Sequence, residues 1–289
     1  MRGPAARRTG LDGVLSELVD GDGANDDVAV VAVRLLPAPL RLDLPGMPAQ
    51  LSPVRRTVEQ WALGAGLDPD ATEDLQLAIG EAAGNAVEHA YRDAGVPGRV
   101  VVELGLGRTG DVTVTVTDTG TWRPVPTDPG YRGRGLQIIS ALARDVDISP
   151  EPTGTTVRFV FTPAPPMSGA RRPRAAGKPG RMEHPAALDV TDAHGRRCLA
   201  LSGDLDLAGT AAIRAALMAE LADHRPITLD LSRLGFVASV GAGLLLEVAE
   251  RARTHRDLDI LLPRTGPAHR LLELTGLASA LQPQAGLPR

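Results

Sequence analysis

The sequence predicts two small mixed domains in tandem, an α+β layer followed by a compact α/β unit. Three observations carry this. Residues 40–162 place two helix-like runs beside an antiparallel-looking set of strand-like runs. Residues 163–185 are rich in Pro, Gly and Arg and lack hydrophobic periodicity, so they read as a linker. Beyond them, short apolar strands alternate with helices, the order that produces parallel pairing.

In chain order, Leu40–Leu44 reads as a short strand. Ser52-Pro53 resembles an N-cap followed by proline, opening a helix to about Ala65. Asp70 with Glu73 resembles a capping box for a second helix, whose apolar positions are Leu75, Ala78, Ile79, Ala82, Ala86 and Ala90. Strands are expected at Val100–Leu106, Val112–Thr117 and Thr155–Phe161, with a helix at Gly135–Val146 between the last two. In the second unit, a strand at Arg197–Leu201 precedes a turn at Gly203-Asp204 and a helix at Ala208–Ala222. Strand Ile227–Leu231, helix Val240–Arg253, strand Leu258–Leu262 and helix Pro267–Leu274 complete it.

Four short pieces point to a nucleotide. Glu81, Asn85 and His89 recur every four residues and so share one helix face, with small Ala and Gly neighbours that leave room for a ligand. A carboxylate followed one turn later by a carboxamide suits a proton acceptor beside an oxygen ligand for Mg²⁺. Asp118-Thr-Gly120 ends a strand with an acceptor and a flexible turn. Gly133-Arg-Gly135 opens a helix, where backbone N–H groups receive phosphate. Gly154-Thr155-Thr156 starts the last strand of the unit.

This ordered set resembles the Bergerat-fold ATP-binding domain, and most closely that of the bacterial anti-sigma-factor serine kinases. The resemblance covers residues 39–162 and implies a Bergerat-type α+β sandwich that binds ATP with Mg²⁺. It implies that Glu81 is the general base, that Asn85 holds Mg²⁺ and that Asp118 accepts from the adenine amino group. Gly120 lets the backbone approach the ring, and Gly133 and Gly135 form the ATP lid. Thr155 supports the adenine side, with Thr156 as the alternative.

Residues 186–284 resemble the STAS domain of anti-sigma-factor antagonists, through Leu201-Ser-Gly203-Asp204-Leu205-Asp206-Leu207, Leu229–Leu234 and Phe236–Gly241. That likeness maps the phosphate-accepting serine onto Ser239. Ala238 stands where an acidic residue is common, and Val240 where Ser or Thr is usual. From the residues alone, Ser239 lies where a serine caps a helix, and a phosphate there meets the same helix N-terminus. Residues 1–38 resemble the last helix, Gly-Asp-Asp turn and final strand of metal-dependent serine phosphatases. Asp26 or Asp27 matches one metal ligand, and the segment is read as a remnant without phosphatase activity.

Composition narrows the classes further. The net charge is −4 and only 2% of residues are aromatic, which disfavours nucleic-acid binding. No apolar run nears the roughly 20 residues that span a bilayer. The single cysteine, Cys198, lies in an apolar strand and reads as a core residue. The expected protein is therefore a cytoplasmic, ATP-dependent protein-serine kinase of partner-switching type that carries its own acceptor domain. Its expected partners are a sigma factor, an anti-sigma antagonist or a second copy of the chain. The competing expectations are a non-catalytic ATP-binding module that sequesters such partners, and a plain ATPase.

Overall fold

Antiparallel pairing organises the first half of the chain and parallel pairing the second. The computed structural model describes residues 36–90, 98–120, 135–164, 185–193, 195–222, 225–253 and 258–281. Residues 1–35 of the expected phosphatase-like remnant, Asp26 and Asp27 among them, the lid residue Gly133 and most of the linker lie outside these residues, as does the side chain of His89. From Pro37 onward the described residues pack as one unit.

Strands β1 (Leu40–Pro45), β2 (Arg99–Leu106), β3 (Val112–Asp118), β4 (Arg144–Glu151) and β5 (Gly154–Phe161) form one sheet in the order β1-β2-β3-β5-β4, antiparallel throughout. Alternating residues such as Val102, Leu104, Val114, Val116 and Phe159 turn one face inward. Helices α1 (Leu51–Gly64) and α2 (Pro69–Ala90) belong to the same core, with Val58, Leu75, Ala78 and Ile79 fully buried. The expected α+β layer is present. Among the described residues no helix is long and apolar enough to cross a membrane.

Local differences have physical causes. Helix α1 starts earlier than Ser52, because a 3₁₀ turn at Pro48–Gln50 leads straight into it. Pro53 then falls within the first turn, where no intrahelical N–H is needed. Helix α2 is capped by Asp68, whose Oδ1 accepts the Ala71 N–H at 2.8 Å, with Pro69 as its first residue. Asp70 is a first-turn acid there and not the cap. Helix α3 stops at Leu142 (Gly135–Leu142). Strand β4 begins at Arg144, and Asp145, left-handed at φ 53°, lies in the irregularity of its hairpin with β5, which Val146 and Ile148 also join.

The second half contains β6 (Ala187–Ala193), β7 (Arg196–Leu205), β8 (Ile227–Val237) and β9 (Leu258–Leu261). Strands β7, β8 and β9 are parallel, and the unanticipated β6 adds an antiparallel edge. Gly203-Asp204 continues β7, with Gly203 at φ 80°, close to a register shift against β8. Helices α4 (Leu207–Glu220), α5 (Ser239–Arg253), α6 (Pro267–Leu274) and α7 (Leu277–Leu281) accompany the sheet. Asp206 caps α4 by accepting the Gly209 N–H at 3.0 Å. Leu199, Leu201, Leu229, Leu245 and Leu271 are fully buried in this core. Cys198, expected in the core, is only half-buried on β7.

Candidate functional site

A helix face that reads as a polar stripe in the sequence is buried against the second half of the chain. Glu81, on α2, is only 2% exposed. Its Oε2 accepts the Ser239 hydroxyl at 2.6 Å and its Oε1 accepts the Ser239 backbone N–H at 2.7 Å. Burial raises the Glu81 carboxyl above the ordinary glutamate value of 4.5. The two bonds from Ser239 oppose that rise, and nearby Glu88 reinforces it. The two residues singled out as proton acceptor and phosphate acceptor thus meet directly, 158 positions apart.

Ser239 reaches Glu81 because it does not cap its own helix. The Ala238 carbonyl accepts the Ala242 N–H at 2.9 Å, so Ala238 occupies the cap and Ser239 is the first helical residue. The turn is held against β7 by a bond from the Ala238 N–H to the Leu205 carbonyl at 3.1 Å. Gly241 is required there: a Cβ on it falls 2.3 Å from the same carbonyl oxygen. Ala238, where an acid is common in the resembling domains, is 9% exposed.

Around this pair lies a cleft of about 20 Å³, lined in part by Arg55, Glu81, Asn85, Glu88, Asp206 and Ser239. It is large enough for one water and little more. Gly135, at the start of α3, packs closely against Glu81 and Asn85. A Cβ there falls 2.7 Å from Glu81 Oε2 and 3.1 Å from Asn85 Nδ2, so only glycine lets the helix start approach both side chains.

Asp118 ends β3 and is 6% exposed. Its Oδ1 accepts the Gly120 N–H at 2.8 Å and the Thr155 N–H at 3.3 Å. Burial raises its carboxyl above the usual range while these two bonds draw it down. Asp118, Gly120 and Thr155 therefore form one local cluster across neighbouring strands. Thr156 instead pairs its hydroxyl with that of Thr117 at 3.2 Å. Gly154 holds the cluster closed: a Cβ on it falls 1.9 Å from the Asp118 carbonyl oxygen. Gly154→Ala is expected to cost on the order of 3 kcal/mol and lower Tm by roughly 10 °C, measured by calorimetry.

Two further residues were given no role from the sequence. Arg55, on α1, is 5% exposed. Its Nη2 donates to Asp204 Oδ2 at 2.8 Å and to Asp206 Oδ2 at 2.7 Å. Its guanidinium lies 4.1 Å from the centroid of the Phe236 ring, a cation–π contact. The signal was present in the pattern, since Arg55 sits inside the apolar stripe Leu51, Val54, Val58, Trp61 and Ala62. The other is Arg270, which pairs with Asp74.

Comparison with known proteins bears on this arrangement. Residues 44–161 match the model of the histidine kinase-like ATPase domain, and residues 189–283 match that of the Mlab, STAS domain. A serine-protein kinase RsbW of Oceanobacillus iheyensis is 29% identical over 124 residues, which are 38% of this chain and 78% of that protein. The serine-protein kinase RsbW of Bacillus velezensis is 30% identical over 132 residues, 41% of this chain and 81% of the relative. The chain belongs to the RsbW family.

Among solved structures, the RsbU and RsbW domains of a Mycobacterium tuberculosis protein align at 28% identity and a TM-score of 0.38. They cover 45% of this chain, which in turn spans 34% of that one. An anti-sigma factor antagonist from Mycobacterium paratuberculosis aligns at 29% identity and a TM-score of 0.31, covering 35% of this chain and 87% of that one. The histidine kinase-like ATPase match contains Glu81, Asn85, Asp118, Gly120, Gly135 and Thr155 within residues 44–161. Ser239 lies in the STAS match. The contact between Glu81 and Ser239 thus joins the RsbW-like half of the chain to its STAS half.

Proposed function

We propose that this chain is an ATP-dependent protein-serine kinase of the partner-switching type that phosphorylates Ser239 of its own STAS domain. The observation that carries the reading is the 2.6 Å bond from the Ser239 hydroxyl to Glu81. A general base must lie within hydrogen-bond reach of the proton it takes, and Glu81 does. Glu81 Oε2 receives the hydroxyl proton, and Ser239 Oγ becomes the nucleophile. The Ser239 N–H, bonded to Glu81 Oε1, keeps the carboxylate aimed.

The residues present fit a nucleotide. Asn85 offers an amide oxygen one turn from Glu81, and Asp118 offers a buried acceptor next to Gly120 and Thr155. When bound, ATP would supply its γ-phosphoryl group to Ser239 Oγ as the bond to the bridging oxygen breaks and ADP leaves, with Mg²⁺ neutralising the phosphate charge. Asn85 is assigned to Mg²⁺ through its amide oxygen, and Asp118 to the adenine amino group. Gly120 and Thr155 line the adenine side, and Gly133 and Gly135 receive the phosphates. Asp118→Asn keeps an oxygen for the Gly120 N–H but turns the second acceptor into a donor. ATP affinity in calorimetry is expected to fall about 10- to 100-fold.

A phosphate on Ser239 adds about −1.5 to −2 charges beside Glu81, Glu88 and Asp206. Repulsion then releases the STAS domain, which keeps its phosphate at the α5 N-terminus. Release exposes the α2 face, which becomes available to a sigma factor or to a separate antagonist. This links transfer to partner exchange.

The raised Glu81 value predicts two opposite pH trends. The docked form binds a proton more tightly than free glutamate does. Its stabilising contribution is therefore complete below 4.5 and fades as pH rises through the raised value. Transfer needs the ionised base, so the single-turnover rate is expected to climb along an acid limb centred above 4.5. Rates measured across pH by intact mass check this, and a limb at or below 4.5 contradicts it.

A further inference from the structure

The docking face of α2 is written along one helical line. Asp74, Leu77 and Glu81 stand at i, i+3 and i+7, with Gly80 beside them. Glu81 takes Ser239. Leu77, fully buried, belongs to the apolar cluster that Phe236, Leu271 and Leu272 form in the STAS half. Gly80 leaves space for the Phe236 ring, because a Cβ there stands 3.0 Å from Phe236 Cζ. At the far end, about 10 Å from Glu81 at 1.5 Å per residue, Arg270 of α6 meets Asp74. Its Nε donates to Oδ1 at 2.7 Å and its Nη2 to Oδ2 at 3.1 Å. Two parallel bonds between planar groups set direction as well as distance.

The polarity of this fork is opposite to that of the Arg55 contact. At Arg55 the RsbW-like half supplies the cation and the STAS half the anions Asp204 and Asp206. At Asp74 the RsbW-like half supplies the anion and the STAS half the cation. A domain docked in the reversed sense brings Arg270 toward Arg55 and the acids toward Asp74, so like charges oppose it. Apolar contact at Leu77 has no such directional preference.

We infer that the Asp74–Arg270 fork is a positioning and specificity contact that selects this chain's own STAS domain and sets the register in which Ser239 meets Glu81. A separate antagonist domain docks equally well only if it presents a basic residue at the same place on α6. The consequence for transfer rests on the kinase reading, but the docking itself does not.

The test reads docking and transfer separately in the full chain. Without nucleotide, hydrogen exchange at the Ser239 amide reports docking, since that N–H is bonded to Glu81. Asp74→Arg and Arg270→Asp are each expected to speed its exchange roughly five- to tenfold, while amides of β2 and β3 stay protected. The double variant, with the charges exchanged, restores the slow exchange. With Mg-ATP, phosphate incorporation at Ser239 drops by a similar factor in each single variant and recovers in the double one. Unchanged exchange in both single variants overturns the inference, as does failure of the double variant to recover. If either single variant also loses protection in β2 and β3, recovery in the double variant decides. Exchange that follows the pattern with no phosphate in any variant upholds the fork and rejects the kinase reading instead.

Discussion

Glu81→Gln is expected to reduce phosphate incorporation at Ser239 by about 10²- to 10⁴-fold, the range a positioned proton acceptor contributes. The reasoning follows the two bonds at the site. Glu81 accepts from both the hydroxyl and the N–H of Ser239, and glutamine offers only one acceptor oxygen against those two donors. The amide also cannot hold the proton. ATP affinity is expected to stay within a few-fold of wild type, because the assigned adenine contacts at Asp118, Gly120 and Thr155 are untouched. Calorimetry with single-turnover phosphosite mass measurement separates the two effects. A loss of transfer matched by an equal loss of ATP binding contradicts the base assignment.

Arg55→Ala has the second large effect, on docking of the two halves. The Arg55 and Asp206 side chains are each only 6% exposed, and the pair is shared with Asp204. Removing the cation leaves two carboxylates facing a buried surface, a change that costs about 3–5 kcal/mol where the charge stays buried. Opening of the interface relieves that cost by returning the carboxylates to water, so separation is the expected outcome. Asp206 still caps α4 through the Gly209 N–H, which keeps the STAS fold intact. Exchange at the Ser239 amide is expected to rise more than a hundredfold, and transfer to fall with it. Arg55→Lys does not restore docking, because an ammonium lacks the planar group that lies over Phe236 while bonding two carboxylates.

Much of the fold was legible because its signals are local. Alternation in Val112–Asp118 and Gly154–Phe161, and the spacing of Leu75, Ala78, Ile79 and Ala82, each reflect a single element facing a single core. Strand β4 was hidden because Val146 continues the helical spacing of Ile138, Ile139 and Leu142, and only Ala143 separates α3 from the strand. Strand β6 was hidden by composition, since Ala187–Ala193 follows the linker directly and carries two acids on an edge. The site divides in the same way. Glu81, Asp118 and Ser239 sit in motifs whose chemistry can be read in place. Arg55 is marked locally only by its place in the apolar stripe of α1, and it, Asp74 and Arg270 gain their roles from partners 149 to 196 positions away, which no local pattern names.

Docking of Ser239 on the Glu81 of its own chain also bears on reaction order. An intramolecular acceptor is presented at a concentration that does not depend on how much protein is in solution. The decisive measurement is therefore the rate of phosphate gain at Ser239 in the wild-type full chain with Mg-ATP, by intact mass and site mapping over a hundredfold range of protein concentration. The expected result is one phosphate at Ser239, formed with a first-order rate that does not change across that range. A chain that binds ATP yet gains no phosphate at Ser239, or gains it only in proportion to protein concentration, contradicts transfer within one chain.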